Sequence, residues 1–199
     1  MVGAIEAVLA ALNDAGVRYL VVGGVAVVLH GHLRTTADLD LVVKLTPENA
    51  LRTVQALAGL GYRPRAPVPL EQFADPAIRA AWARDKGLTV FGLWSDQYPG
   101  LEVDLFVDEP FDFDATHGRA SVVSLDHTTA TVVSLDLTED DGGFSRGFAG
   151  HRQAQARMGL RLTPAQRLRW LETTMETLRR WRGRARAPQA SGTPDVKKV

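Results

Sequence analysis

Asp38 and Asp40 are the residues whose type and spacing point most directly to chemistry. They open the run Asp38-Leu39-Asp40-Leu41-Val42-Val43. Residues two apart on a β-strand share a face, so both carboxylates project together while Leu39 and Leu41 face a core. Neighbouring carboxylates repel, and burying them unpaired would be costly. A divalent cation resolves that conflict, and hard Mg²⁺ takes one or two carboxylates plus substrate phosphates. Upstream, Gly23-Gly24 permits a tight turn and close approach of a ligand, and its N–H groups, at the start of a helix, can hold a phosphate. Between the two elements stand Arg34 and Thr36. Arg34 could neutralise a triphosphate, or pair with Asp38 or Asp40. Thr36 could bond a phosphate or cap the loop. The plainer alternative is that the two acids solvate an edge strand.

These residues need a scaffold, and the flanking pattern supplies one. Ile5, Val8, Leu9 and Leu12 recur at helical spacing, predicting a helix over 2–15 stopped by Gly16. Tyr19 to Val22 reads as a buried strand, Val25 to Leu29 as a short helix closed by His30-Gly31, and Asp38 to Val43 as the acidic strand. Thr46-Pro47 opens a helix with a Thr cap and Pro at its first position, ended by Gly61. Tyr62 to Pro69 is proline-rich and expected to be irregular, and a helical pair broken near Pro76 is expected over 70–86. Leu88 to Trp94 and Leu101 to Val107 read as two strands. Asp108 to Asp114 reads as a loop, and Ser121–Leu125 with Thr131–Leu135 as a hairpin turned at 127–129. The fold class predicted is α/β (α+β), a mixed sheet flanked by helices with a basic C-terminal helix.

The order strand, Gly23-Gly24, helix, His30-Gly31, Arg34-x-Thr36-x-Asp38-x-Asp40 resembles the signature of the DNA polymerase β-like nucleotidyltransferases. It is similar above all to their small prokaryotic AbiEii-type and minimal members, many linked to toxin–antitoxin pairs. The likeness covers about the first 45 residues. It implies that Asp38 and Asp40 hold Mg²⁺ (or Mn²⁺), that Gly23, Gly24, Arg34 and Thr36 contact the nucleotide, and that ATP or another NTP is the substrate. It also implies a third carboxylate on a neighbouring strand. Asp104 fits, mid-strand in Glu102-Val103-Asp104-Leu105-Phe106, as proton acceptor or metal ligand; Asp108 is the runner-up and Glu102 an assistant or plain surface charge. Acceptors in resembling families include tRNA 3′ ends, protein hydroxyls and small molecules. Relatives continue after a Val-Val-Ser-Leu strand end into a helix bearing Lys, whereas here Ser134-Leu135-Asp136 runs into LTEDDGGFSRG. That departure raises a second reading: a catalytically weak nucleotidyltransferase-fold antitoxin or partner-binding module.

Composition bounds the alternatives. The 199 residues contain no cysteine, which removes disulfides, thiolate metal sites and cysteine nucleophiles. There is no P-loop, dinucleotide fingerprint or Ser-His-Asp logic. No apolar run nears the ~20 residues of a membrane span, and the N-terminus lacks the basic lead of a signal peptide, so a cytoplasmic protein is expected. The formal net charge of +0 hides an acidic body and a basic end: residues 1–150 hold 11 Lys/Arg and 20 Asp/Glu, residues 151–199 hold 12 and 3. A third reading follows from that end, nucleic-acid binding with steep salt dependence. The expected organisation is a nucleotidyltransferase-like domain over 1–136, a linker over 137–150, a basic helical segment over 151–182 and a disordered tail over 183–199. In the basic segment, Thr163-Pro164-Ala165-Gln166 forms a capping box, and Leu168, Leu171, Met175 and Leu178 form the stripe of a docked helix. Trp170 and Trp181 lie off that stripe and read as packing residues, and His30 as a structural hydrogen bonder.

Overall fold

The alternating strand Asp38–Val43 (β2) has two faces with different fates, and the architecture follows from them. Leu39, Leu41 and Val43 are fully buried in the main core. Asp38 and Asp40 lie half-buried on the other face, where Val42 joins Leu20 and Phe113 in a small second cluster. The computed structural model describes residues 3–134 and 159–185.

β2 sits inside a seven-stranded mixed sheet with β1 (Tyr19–Val21), β3 (Arg63–Pro64), β4 (Val90–Trp94), β5 (Glu102–Phe106), β6 (Ser121–Ser124) and β7 (Thr129–Val132). The spatial order is β3-β4-β5-β2-β1-β7-β6. β2 runs antiparallel to β1 and parallel to β5, and β4 returns antiparallel beside β5. The α/β (α+β) class with a mixed sheet flanked by helices is therefore what the chain adopts.

Helices α1 (Ala4–Asp14), α3 (Pro47–Gly59) and α4 (Pro76–Lys86) contribute Ile5, Leu12, Val54, Leu57 and Trp82 to the main core. Their starts are chemically specified. Thr46 Oγ1 accepts from Asn49 N at 3.3 Å, and Asp75 Oδ1 accepts from Ala77 N at 2.8 Å, each before a proline at the first helical position. Asn49 is itself buried, bonding the backbone N–H and C=O of Arg18 and the carbonyl of Lys44, so α3 pins the ends of β1 and β2 together.

The C-terminal helix α6 (Pro164–Ala185) docks as its stripe predicts. Thr163 and Gln166 cap each other reciprocally, at 2.8 and 3.2 Å. Leu168 and Leu171 enter the main core, and Met175 and Trp170 pack against it. Leu178 is exposed instead, so the apolar contact of the stripe ends at Met175. Arg167 donates to the carbonyl of Leu29, and Glu172 accepts from the free N–H of Ile5, tying α6 to a short helix α2 (Gly23–Leu29) and to α1.

Four local expectations need correction. The short helix α2 (Gly23–Leu29) begins at the glycines themselves, which are its first residues instead of a turn before it. The stretch 62–69 contains β3, because Arg63 and Pro64 pair with Trp94 and Leu93 at the sheet edge. The acidic 108–114 segment leads into a helical turn, α5 (Phe113–His117), capped by Asp112. The hairpin turns at 125–128, one residue before Thr129 resumes pairing. In addition α6 reaches Ala185, inside the segment expected to be disordered from 183. The altered segment after Leu135, the 137–150 linker, residues 151–158 of the basic segment, the rest of the tail and the side chain of Trp181 lie outside the described residues.

Candidate active site

The second face of the sheet is covered at one end only. Phe113 of α5 packs on Leu20 and Val42, with Phe106 and Phe111 around it. Asp114 holds that cover in place through Arg18 at 2.7 Å and Lys44 at 2.8 Å. The other end, where β2 and β5 begin, is left without a covering helix among the described residues, and the acids emerge there.

Parallel pairing of β2 with β5 sets Asp40 directly across from Asp104, and Asp38 across from Glu102. Neighbouring strands lie about 4.7–4.9 Å apart, so residues so paired on one face are nearest neighbours across the sheet. Asp104, proposed from its mid-strand position, is thus brought beside Asp38 and Asp40. Asp108 is exposed beyond the end of β5 and is not. The electrostatic signature matches the crowding. The Asp104 carboxyl is pushed up to about 6, by burial first and then by the charges of Asp40, Asp38 and Glu102, with Arg65 pulling it back. The Asp40 carboxyl is also raised, by burial and then Asp38, against the Gly24 N–H and the Arg34 charge.

Gly23 and Gly24 lie against these acids. Gly23 has φ +61°, and a Cβ there would fall 2.0 Å from Asp40 Oδ2, so both its backbone and its surroundings require glycine. A Cβ on Gly24 would meet Thr36 Oγ1 at 2.6 Å. The glycine pair therefore first makes room for Asp40 and Thr36, and the Gly24 N–H bonds the Asp40 carboxylate. Arg34 is exposed and makes no ion pair among the described residues, although its charge is felt at Asp40. Thr36 packs on α2. Gly23, Gly24, Thr36, Asp38 and Asp40 therefore gather at the β2–α2 junction, with Arg34 near enough for its charge to reach Asp40 and Asp104 one strand away, whereas Asp108 stays outside.

Two contributors were missed in the sequence. Gly92 of β4 pairs with Asp104, and a Cβ there would lie 3.1 Å from Asp104 Oδ1. A lone glycine inside a strand pattern is the signal that could have found it. Arg65 pairs with Glu102 and so supplies the nearest basic group to Asp104, but nothing local announces a partner on a distant strand. His30 behaves as expected, its Nε2 lying 2.7 Å from the carbonyl of Val133.

Among the described residues no three acidic or histidine side chains converge closely enough to hold a metal ion by themselves. The donor set still fits Mg²⁺. That ion keeps several waters and uses one or two carboxylates with substrate phosphates. Here adjacent, half-buried carboxylates repel one another, opposed by the Gly24 N–H and the charges of Arg34 and Arg65, a balance that a cation would relieve.

A scan against protein-family models finds no match for this chain, and a search of curated proteins finds none either. Among the described residues no helix is long and apolar enough to cross a membrane.

Proposed function

We propose that the chain is a metal-dependent nucleotidyltransferase of the DNA polymerase β-like kind. It would move a nucleoside monophosphate from ATP or another NTP to a hydroxyl acceptor and release pyrophosphate. One observation carries the reading: Asp40 and Asp104 are register partners on parallel strands, with Asp38 on the same uncovered face. An isolated acidic strand would need no such partner.

Asp38 and Asp40 would hold Mg²⁺ or Mn²⁺ together with the substrate phosphates, and Asp104, across from Asp40, would serve as the proton acceptor. When bound, the ion supplies charge neutralisation for the triphosphate and the leaving pyrophosphate. The chain's own residues do the rest by positioning and electrostatics. Gly23 and Gly24, lacking side chains, let the phosphates approach the N-terminus of α2, and Thr36 flanks that approach. Arg34, exposed and unpaired among the described residues, is free to meet the triphosphate. The acceptor oxygen attacks the α-phosphorus as its proton passes to Asp104, and the bond from that phosphorus to the bridging oxygen breaks, freeing pyrophosphate. A carboxyl raised to about 6 is a stronger base than an ordinary aspartate yet still ionised at neutral pH, which suits that role.

The test is transfer of labelled nucleotide from each NTP with Mg²⁺, offering total tRNA and cell lysate as acceptors. Wild type should label an acceptor, and the Asp38→Ala/Asp40→Ala double variant should lose the signal by on the order of 10²-fold or more. Absence of label together with absence of Mg²⁺–NTP binding by calorimetry would refute transfer. The antitoxin or partner-binding module would then be the surviving account, and binding to a cognate toxin would be its activity.

A further inference from the structure

On the face that carries the acids, the sheet continues past Asp104 onto β4 and β3. Gly92 pairs with Asp104, so Trp94, two residues on, shares that face and lies level with Glu102. Its indole is 38% exposed, an unusual place for so large an apolar ring. It lines a cavity of about 600 Å³ with Arg65, Pro99, Gly100 and Glu102. The guanidinium of Arg63 lies over the ring at 4.5 Å from its centroid, held by Asp96 at 2.5 Å. Arg63 is not among the residues lining that cavity, whereas its partner Asp96 is. At the far rim, Arg179 of α6 donates to the carbonyls of Pro99 and Gly100, bringing the basic helix to the same groove.

The order across the face gives the groove its meaning. Gly23 lies against Asp40 from the β1 side, Asp104 comes next, and Trp94 lies beyond it, on the diagonal about 7–8 Å away. The residue that takes the acceptor's proton therefore stands between the donor's phosphates and the indole. Whatever rests on Trp94 belongs to the acceptor. An exposed indole beside guanidinium groups suits a nucleobase and its phosphate, since every base offers a π-face and the backbone a charge.

We propose, resting on the transferase reading, that the acceptor is a single-stranded nucleic-acid 3′ end, with a base near the terminus stacked on Trp94 and its phosphate on Arg65. Phosphate would compete with Glu102 for that guanidinium. The 3′-hydroxyl then reaches Asp104 from the groove side, opposite to the incoming nucleotide.

The experiment measures binding without turnover. The full chain, in Mg²⁺ buffer lacking nucleotide, is titrated into a short 5′-fluorescein single-stranded RNA and followed by anisotropy. Trp94→Ala should weaken binding roughly 5- to 150-fold, whereas Trp94→Phe, which keeps a stacking face, should retain most of it. Arg65→Ala should also weaken binding and flatten its salt dependence. Thermal melts by circular dichroism identify the folded variants, and the Phe variant keeps the question answerable if Ala does not fold. Equal RNA binding by wild type and a folded Trp94→Ala overturns the proposal, as does equal loss in the Ala and Phe variants. A loss that appears on ATP binding instead of RNA binding also overturns it, because the ring would then serve the donor. Trp94-dependent RNA binding without any transfer would remove the transferase reading and leave the groove assignment. Transfer to a small molecule with Trp94-insensitive RNA binding would do the reverse.

Discussion

Asp104→Asn should make the metal-free protein more stable while removing its transfer activity. The carboxyl of Asp104 is raised from 3.8 to about 6, by burial and then by three neighbouring acids. A folded state that holds a proton more tightly than the unfolded chain gains stability below the unfolded value and loses it as pH rises through the folded one. Asp104 thus stabilises fully below about pH 4 and loses that contribution between about pH 4 and 6. Taken whole, the shift corresponds to about 3 kcal/mol, at about 1.36 kcal/mol per unit. Because the side chain is only half-buried, solvent screens the repulsion, leaving on the order of 1 kcal/mol. For a chain of this size that is a Tm about 2–4 °C higher for the asparagine variant at neutral pH in EDTA. Calorimetry or urea unfolding with an unchanged m-value reads it directly. Near pH 4 the two proteins should melt together, and added Mg²⁺ should narrow the neutral-pH gap by stabilising wild type more. An asparagine variant no more stable than wild type at neutral pH would refute the reasoning, since the Asp104 charge would then carry no penalty from burial or from the acids around it.

Other perturbations separate site from scaffold. Gly23→Ala forces a side chain onto a φ of +61° and against Asp40, so urea unfolding should show a loss of about 1–2 kcal/mol and calorimetry weaker Mg²⁺ binding. Gly92→Ala should leave stability unchanged or raised by up to about 0.5–1 kcal/mol, as alanine suits a strand better, while lowering transfer by crowding Asp104. Equal activity would show that Asp104 needs no room there. Leu171→Ala removes a fully buried core contact of α6 and should cost about 2–5 kcal/mol in chemical unfolding; a negligible cost would mean that the helix adds nothing to the core.

What the sequence disclosed was what is local. The period-two alternation of Asp38-Leu39-Asp40-Leu41 assigns both faces of β2, and Thr46-Pro47 and Thr163-x-x-Gln166 mark helix starts, because capping is settled within four residues. The Asp104 strand was legible for the same reason. Its pairing with β2 was not derivable from spacing, since the parallel partner comes from far along the chain. Arg65 opposite Glu102 and the two-residue β3 escaped notice because they exist only as sheet-edge contacts. α5 hid in an acidic run, although Asp112 placed before Phe113-Asp114-Ala115 was a readable cap. The start of α2 at Gly23 went against helix propensity, which disfavours glycine, and was decided by the space Asp40 needs.

The parallel β2–β5 pairing also has a kinetic side. Asp40 and Asp104 become neighbours only when the chain closes a long loop through α3, α4 and β4, a step that costs loop-closure entropy before the pairing repays it. A nascent chain lacking β5 would carry Asp38 and Asp40 without the repulsion that Asp104 adds. In the finished, metal-free protein the same pairing is where local opening relieves most electrostatic stress, so amide hydrogens of β5 facing β2 should exchange faster than those of the β1–β2 pair. Saturating Mg²⁺ should slow that exchange selectively, so that the pairing most strained without ligand becomes the one most tightened by it.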